Sequence, residues 1–320
     1  MTALLVLGEI QTCLAPSSAV LSRPAIQELL ELIPGRPVRW RERPGTLAVS
    51  DAPPVGVDCA LVLDGAASAA GLVGTVAGRV IVVGGRLLQS SVCTRVVRAP
   101  ARRRQTWSHY TSQIGTTELF GASGAREPLI DALTAGYLDG PATAETLDLA
   151  SIGDRLLLRL RADPCLDQLV PLSTGTTRLR WTARIGGSTG PALGVRLDDG
   201  SVRSAWLVVR HAAELESVPG LCADLAVHDW LLTAVGGALE QADRFPAAAP
   251  QRGEIAAAVL QHLASLWMPG AHSPAELRGL WKGLQSDPGF SRQWTASIGQ
   301  VRDRLSVAQW HAHYERGSRA

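Results

Sequence analysis

Arg79-Val-Ile-Val-Val83, then Gly84-Gly85, then Arg86-Leu-Leu-Gln-Ser-Ser-Val-Cys-Thr-Arg-Val-Val-Arg98 is the stretch that decides how this chain reads. Both flanking runs are rich in β-branched residues, and Gly-Gly supplies positive φ at both centres of a two-residue turn, so the segment is a β-hairpin. Toward the N-terminus, residues 3 to 14 and 56 to 63 read as further strands. A helix lies between them from about Arg23 to Ile33, with Pro24 in its first turn and Pro34-Gly35 stopping it. Toward the C-terminus, Ala99 to Gln105 (APARRRQ) reads as an exposed connection and Glu127 to Tyr137 as a helix, before Asp139-Gly140-Pro141 breaks the chain. Residues 1–140 are therefore expected to form a mixed sheet and helix domain.

A second unit, 141–243, opens on a helix through Leu160 with Ser151 as its N-cap and Asp154 in the acidic first turn. Three strands follow, Arg178 to Ile185, Ala192 to Leu197 and Val202 to Arg210. Gly186-Gly187-Ser188-Thr189-Gly190 and Asp198-Asp199-Gly200 separate them, which predicts an antiparallel meander. Leu221, Leu225, Leu232, Val235 and Leu239 then recur at helical spacing, for a helix of about five turns. After the linker RFPAAAPQRG, residues 253–320 read as a helical C-terminal subdomain. Its segments are Glu254 to Trp267, Pro274 to Leu284, with Ser273 and Glu276 at capping-box spacing, and Phe290 to about Arg316. The fold class is α+β.

Five cysteines (Cys13, Cys59, Cys93, Cys165, Cys222) stand far apart and contain no Cys-x-x-Cys pair, which argues against a disulfide framework and against a zinc site. The opening MTALLVLGEIQTC lacks a basic leader and meets Glu9 early, so it reads as a strand rather than a signal peptide. Ala66 to Gly85, the most apolar stretch, contains Arg79 and several glycines and reads as buried strands rather than a membrane span. A cytoplasmic location is expected, with no transmembrane segment.

The net charge of +2 withholds the electrostatic signature of a dedicated nucleic-acid binder. Thirty of the 31 basic residues are arginine, Lys282 being the exception, as a GC-rich genome would produce. The number of arginines is thus no argument for function; their clustering is.

No complete catalytic or cofactor signature is present, so no cofactor and no metal are expected. The Gly186 to Gly190 loop lacks the Gly-Lys-Ser/Thr ending of a P-loop and leads into Pro191 and a strand, so it reads as a hairpin turn. Asp224 and His228, four apart on one helix face, could serve as base and orienting acid. His228 sits inside the Leu221, Leu225, Leu232 stripe, however, and reads as a buried histidine bonded to Asp224; Asp229 is the third titratable group nearby. His311 and His313, two apart, point to different sides of a helix and read as surface.

Two arginine clusters remain. Alternation along Arg178-Leu-Arg-Trp-Thr-Ala-Arg-Ile puts Arg178, Arg180 and Arg184 on one face and Leu179, Trp181, Ala183 and Ile185 on the core side, with Arg196 of the next strand joining the arginine face. Such a face could take phosphate, nucleic acid or an acidic protein, or could be a solvated surface balanced by acids such as Asp198 and Asp199. The second cluster, Arg95, Arg98, Arg102, Arg103 and Arg104, leads into Trp107, His109 and Tyr110, which sets aromatics beside basic residues.

In the last helix Trp294, Ile298, Val301, Leu305 and Ala308 form the stripe for the core. Val307, Trp310 and Tyr314 project about 180° away from it and form a second apolar face that needs a cover, either the preceding helices or a partner.

Gly85-Arg-Leu-Leu-Gln-Ser-Ser91, Trp107-Ser-His-Tyr110 and Cys222-Ala-Asp-Leu-Ala-Val-His-Asp-Trp-Leu-Leu232 resemble segments of an uncharacterised actinobacterial protein family, over roughly residues 3 to 240. Members of that family are encoded in a small gene cluster beside a variant P-loop protein. The resemblance implies work in a multiprotein system with an NTPase partner, and it assigns no catalytic residue. The leading expectation is a non-enzymatic interaction or adaptor protein. The alternative is an enzyme acting on a phosphorylated or carboxylated substrate, with His109, Tyr110 and neighbouring arginines. A further alternative, which the charge does not favour, is a nucleic-acid-binding protein using the arginine face.

Overall fold

Leu5–Leu14 (β1) is buried along its whole length, which requires cover on both of its faces. In the computed structural model, which describes residues 3–63, 69–100, 103–121, 124–140, 143–186, 191–246 and 249–317, that strand lies inside a nine-stranded mixed sheet. The other strands are β2 (Arg39–Arg41), β3 (Leu47–Val62), β4 (Ala69–Val83), β5 (Leu87–Arg98), β6 (Thr116–Phe120), β7 (Thr177–Ile185), β8 (Ala192–Leu197) and β9 (Val202–Val209). Their spatial order is β2-β3-β4-β6-β5-β1-β7-β9-β8. The α+β class expected from the sequence is what is observed.

The β4–β5 hairpin turns at Gly84 (φ 58°) and Gly85 (φ 65°), the positive φ values a two-residue turn requires. Away from the turn the two strands part, and β6 enters between them, antiparallel to β4 and parallel to β5. In β3 the register shifts between Ala52 and Val55, where Pro53-Pro54 offers no ladder donors.

Eight helices cover this sheet among the described residues: α1 (Arg23–Leu29), α2 (Trp107–Thr111), α3 (Arg126–Asp139), α4 (Leu149–Arg161), α5 (Ala212–Asp243), α6 (Pro250–His262), α7 (Arg278–Ser286) and α8 (Phe290–Gly317). Alternate residues of β1 serve the two faces. Leu5 and Leu7 join the core with Ile130, Leu133 and Ile152 of α3 and α4, whereas Val6 and Ile10 join Leu221 and Leu225 of α5. On the α5 face the Trp181 indole lies over Gly8, where any Cβ would sit 2.2 Å from the ring. Farther along, α5, α6 and α8 pack together on Trp230, Leu231, Val259, Trp294 and Ile298.

Several expectations are corrected. The three strands of the second unit are not a meander: β8 and β9 pair antiparallel, but β7 runs parallel to β9, and β8 lies outside β9 at the sheet edge. Nor does the sheet break at residue 140, because β1 pairs with β5 on one side and with β7 on the other. Asp148, not Ser151, caps α4, its carboxylate accepting the Ser151 N–H at 3.0 Å. The capping box at Ser273 does not form. The Ser273 hydroxyl is turned inward to Asp224, and a 3-10 turn, Ala275–Leu277, precedes α7 without a side-chain cap.

Helix α5 runs 32 residues and passes through Pro219, well beyond five turns. Its apolar N-terminal turns are stabilised by Leu215 and Val218 against the sheet, which offsets the helix bond that proline removes. It is also the one described helix long and apolar enough to cross a membrane; 67% of the apolar window is buried inside the protein, so its apolarity is accounted for by the core.

Candidate functional site

The arginine face of β7 is present, and its cover decides what it can do. Arg178, Arg180 and Arg184 do share one face, with Leu179, Trp181 and Ala183 buried on the other. Glu9 of β1 stands opposite Arg180 in the register. Its carboxylate lies 3.0 Å from Arg178 Nε and 3.7 Å from Arg180 Nε, and Arg178 also reaches Asp154 of α4 at 3.3 Å. Arg180 donates to the carbonyls of Tyr137 and Leu138 at the end of α3. Arg184 bonds Asp131 (2.9 Å) and Glu127 (3.3 Å), and Arg196 pairs with Asp139 and Asp198.

Carboxylates from β1, from α3 and α4 and from the turn after β8 therefore neutralise this face. Arg178 also lines an open cleft, of about 240 Å³, shared with Gln11, Asp154, Arg161, Thr176 and Ser201, and Arg180 lines a much smaller one with Glu9 and Tyr137.

Glu9 is the residue that the sequence reading missed. It is 2% exposed, and burial raises its carboxyl from 4.5 to about 7, with Arg180 and then Arg178 opposing the rise. The signal for it was a lone acid in a largely apolar strand; the alternate arginines it faces lie far along the chain in β7, which pairs directly with β1.

The second cluster is dispersed. Arg95 pairs with Glu216 of α5, Arg98 donates to the Gly124 carbonyl at 2.7 Å and Arg104 pairs with Asp58. Arg103 is exposed, and Arg102 lies outside the described residues. Trp107 is half exposed beside Gly56. His109 Nε2 is 2.8 Å from Oε1 of buried Glu118, a carboxylate–imidazole couple able to hold or pass a proton. Tyr110, the expected third member, is buried and its hydroxyl accepts the Gln105 N–H, so it is turned away from that chemistry.

His228 is buried as expected, but its partner differs. Nδ1 donates to the Asp224 backbone carbonyl at 2.7 Å, while the carboxylate stands 3.5 Å away. Nε2 accepts the Met268 N–H at 3.2 Å, which assigns the neutral Nδ1–H tautomer. Burial holds its pKa down at about 4. Trp267 and Trp281 pack edge-on against the ring. The Asp224 carboxylate instead accepts from Ser273, and Asp229 turns away to Arg203 of β9 at 2.9 Å.

Burial lifts the thiols of Cys13 and Cys165 to about 12 and that of Cys59 to about 11, which removes them as thiolate nucleophiles at neutral pH. Only Gly186 of the glycine loop is among the described residues; 187–190 lie outside them.

On α8 the core stripe behaves as expected: Trp294, Ile298 and Val301 are buried, and Trp294 stacks on Trp267 at 4.5 Å. The opposite face has no cover among the described residues. Val307, Trp310 and Tyr314 are 47%, 61% and 67% exposed, and the Trp310 and Tyr314 rings stack on one another at 5.6 Å.

Comparison of the chain with protein-family models, with curated proteins and with solved structures finds no match in any of the three.

Proposed function

We propose that this chain is a non-enzymatic interaction protein, an adaptor in a cytoplasmic multiprotein system that contains a P-loop NTPase. The observation that carries the reading is the uncovered aromatic face of α8. Two stacked rings and a valine held on a helix form the kind of surface that anchors a protein contact, where tryptophan and tyrosine supply most of the binding energy. The paired arginines support it from the other direction. Guanidinium groups already engaged by the chain's own carboxylates have less to offer a phosphate backbone. Five free thiols accord with a reducing cytoplasm. The partner is the P-loop protein whose gene the family resemblance sets beside this one, with an apolar groove receiving Trp310 and Tyr314.

The double variant Trp310→Ser/Tyr314→Ser tests the proposal in titrations against that P-loop protein. Wild type should bind. The variant should keep its melting temperature and lose affinity at least about tenfold, equivalent to about 1.4 kcal/mol. Undiminished affinity, or no complex with wild type, would overturn it.

A second reading, an enzyme acting on an anionic substrate, is favoured by the Arg178 cleft, where Arg161, Thr176 and Ser201 could share a carboxylate or phosphate. Turnover abolished by Arg178→Ala while α8 binding persists would favour that reading.

A further inference from the structure

A groove of about 110 Å³ opens between the sheet and the Pro219 turn of α5, on the opposite side of the sheet from the arginine face. Three adjacent strands make its floor, and the register grades its polarity. Arg79 of β4 lies between Asp51 of β3 and Ser91 of β5, Ile81 between Val49 and Gln89, and Val83 between Leu47 and Leu87. The floor is thus charged at one end and aliphatic at the other. Pro219, Ala223, Asp224 and Val227 of α5 form the roof, with His272 beside them.

Two buried side chains that line this groove are incompletely bonded. Gln89 is 1% exposed and donates its amide to Thr12 Oγ1 (2.9 Å) and to the Ala223 carbonyl (3.1 Å). The Ala223 carbonyl, which can only accept, fixes which end of the amide is nitrogen, and Oε1 is left with no donor. Asp224 accepts the Ser273 hydroxyl at 2.7 Å on one oxygen and meets the Gly270 and His272 backbone N–H groups more weakly, while Oδ1, 3.5 Å from His228 Nδ1, makes no close hydrogen bond. A buried acceptor without a donor costs about 1–3 kcal/mol, and one on the floor with one on the roof of the same groove mark a place for a donor from outside the chain. At the charged end Arg79 shares the single Asp51 carboxylate with Arg39, so two guanidinium groups face one acid and a net positive charge remains.

We propose that this groove binds a small aliphatic α-amino acid. The ammonium donates to Gln89 Oε1 and faces the Asp224 carboxylate, the carboxylate of the ligand meets Arg79 and the Ser91 hydroxyl, and its side chain lies along Ile81, Val83, Leu47 and Val227. The ammonium thereby meets acceptors that lack a close donor, the carboxylate meets the surplus positive charge, and the apolar end is closed to charge. The inference is independent of the docking surface on α8, no residue of which lines this groove.

Calorimetric titration of the full-length protein with L-leucine, with 4-methylpentanoate, which lacks the ammonium, and with 3-methylbutylamine, which lacks the carboxylate, tests it. L-leucine should bind, with each single-ended probe at least about tenfold weaker, equivalent to about 1.4 kcal/mol. Arg79→Ala, a half-exposed position whose loss leaves the core intact, should weaken L-leucine by a similar factor and leave the amine unchanged. Gln89→Leu should weaken L-leucine and the amine and spare the acid. No binding of any probe to wild type, equal affinity for all three, or L-leucine binding unchanged in Arg79→Ala would each overturn the proposal.

Discussion

Glu9 and His228 are two buried titratable groups whose ionisation the fold shifts in opposite senses, and their pH effects oppose each other. Glu9 is held near 7 against 4.5 in an unfolded chain, so the folded protein keeps a proton that the unfolded chain releases between those values. Its contribution to stability is fully present below about pH 4.5 and is lost as pH rises through 7. His228, lowered from 6.5 to about 4, does the reverse: the unfolded chain takes up a proton that the folded ring refuses, and stability falls as pH drops through that window. Glu9→Gln isolates the first effect. Relative to wild type its unfolding free energy should rise by about 2–3 kcal/mol between pH 5 and pH 8, measured by urea titration at each pH. A difference independent of pH would mean that Glu9 ionises as an exposed carboxyl does. Gly8→Ala probes a steric limit instead. With Trp181 fully buried 2.2 Å from the new Cβ, the substitution should cost at least about 1–3 kcal/mol.

Helix α8 carries two apolar faces with opposite energetic roles, so substitutions sixteen residues apart should behave differently. Trp294→Ala removes a buried ring stacked on Trp267 and should cost about 3–5 kcal/mol in thermal or urea unfolding. Trp310→Ser removes an exposed ring and should stay within about 0.5 kcal/mol. A large destabilisation by Trp310→Ser would mean that the outer face is structural and would weaken the case for a docking surface. The same helix is tied to α5 by Arg304, which pairs with Asp243 at 2.7 Å. The contact is bidentate and shares Asp243 with Arg252, but that carboxylate is half exposed and screened by solvent. The Trp294, Ile298 and Val301 stripe holds the helix in place.

At the scale of the whole molecule, the consequence is cooperativity. β1 is hydrogen-bonded to β5 and to β7, and therefore joins residues on both sides of position 140 in one ladder. A fragment of residues 141–320 would keep β7 paired with β9 but lack β1 on its other edge, and would strip Leu179, Trp181 and Ala183 of Val6 and Ile10 in their core. It should fail to fold alone, by circular dichroism and proteolysis. The full chain should unfold in a single urea transition reported alike by tryptophan fluorescence and circular dichroism. Two separated transitions would restore the boundary at 140.

The readable parts of the chain were those governed by neighbours in sequence. Gly84-Gly85 permits a tight turn whatever surrounds it, and the period of Trp294, Ile298 and Val301 marks a buried stripe on any helix. Alternation along Arg178–Ile185 likewise separated the core side from the arginine side before any partner strand was known. What stood on the arginine side was not legible, because Glu9, Asp131 and Asp139 arrive there only when β1, α3 and β8 are assembled. The parallel pairing of β7 with β9, the inward turn of Ser273 and the unsatisfied Gln89 and Asp224 oxygens are of the same kind. Local backbone preference and side-chain period are properties of a short segment. Which charge meets which, and which polar atom is left without a partner, depends on contacts between residues far apart in the chain, and these exist only in the folded molecule.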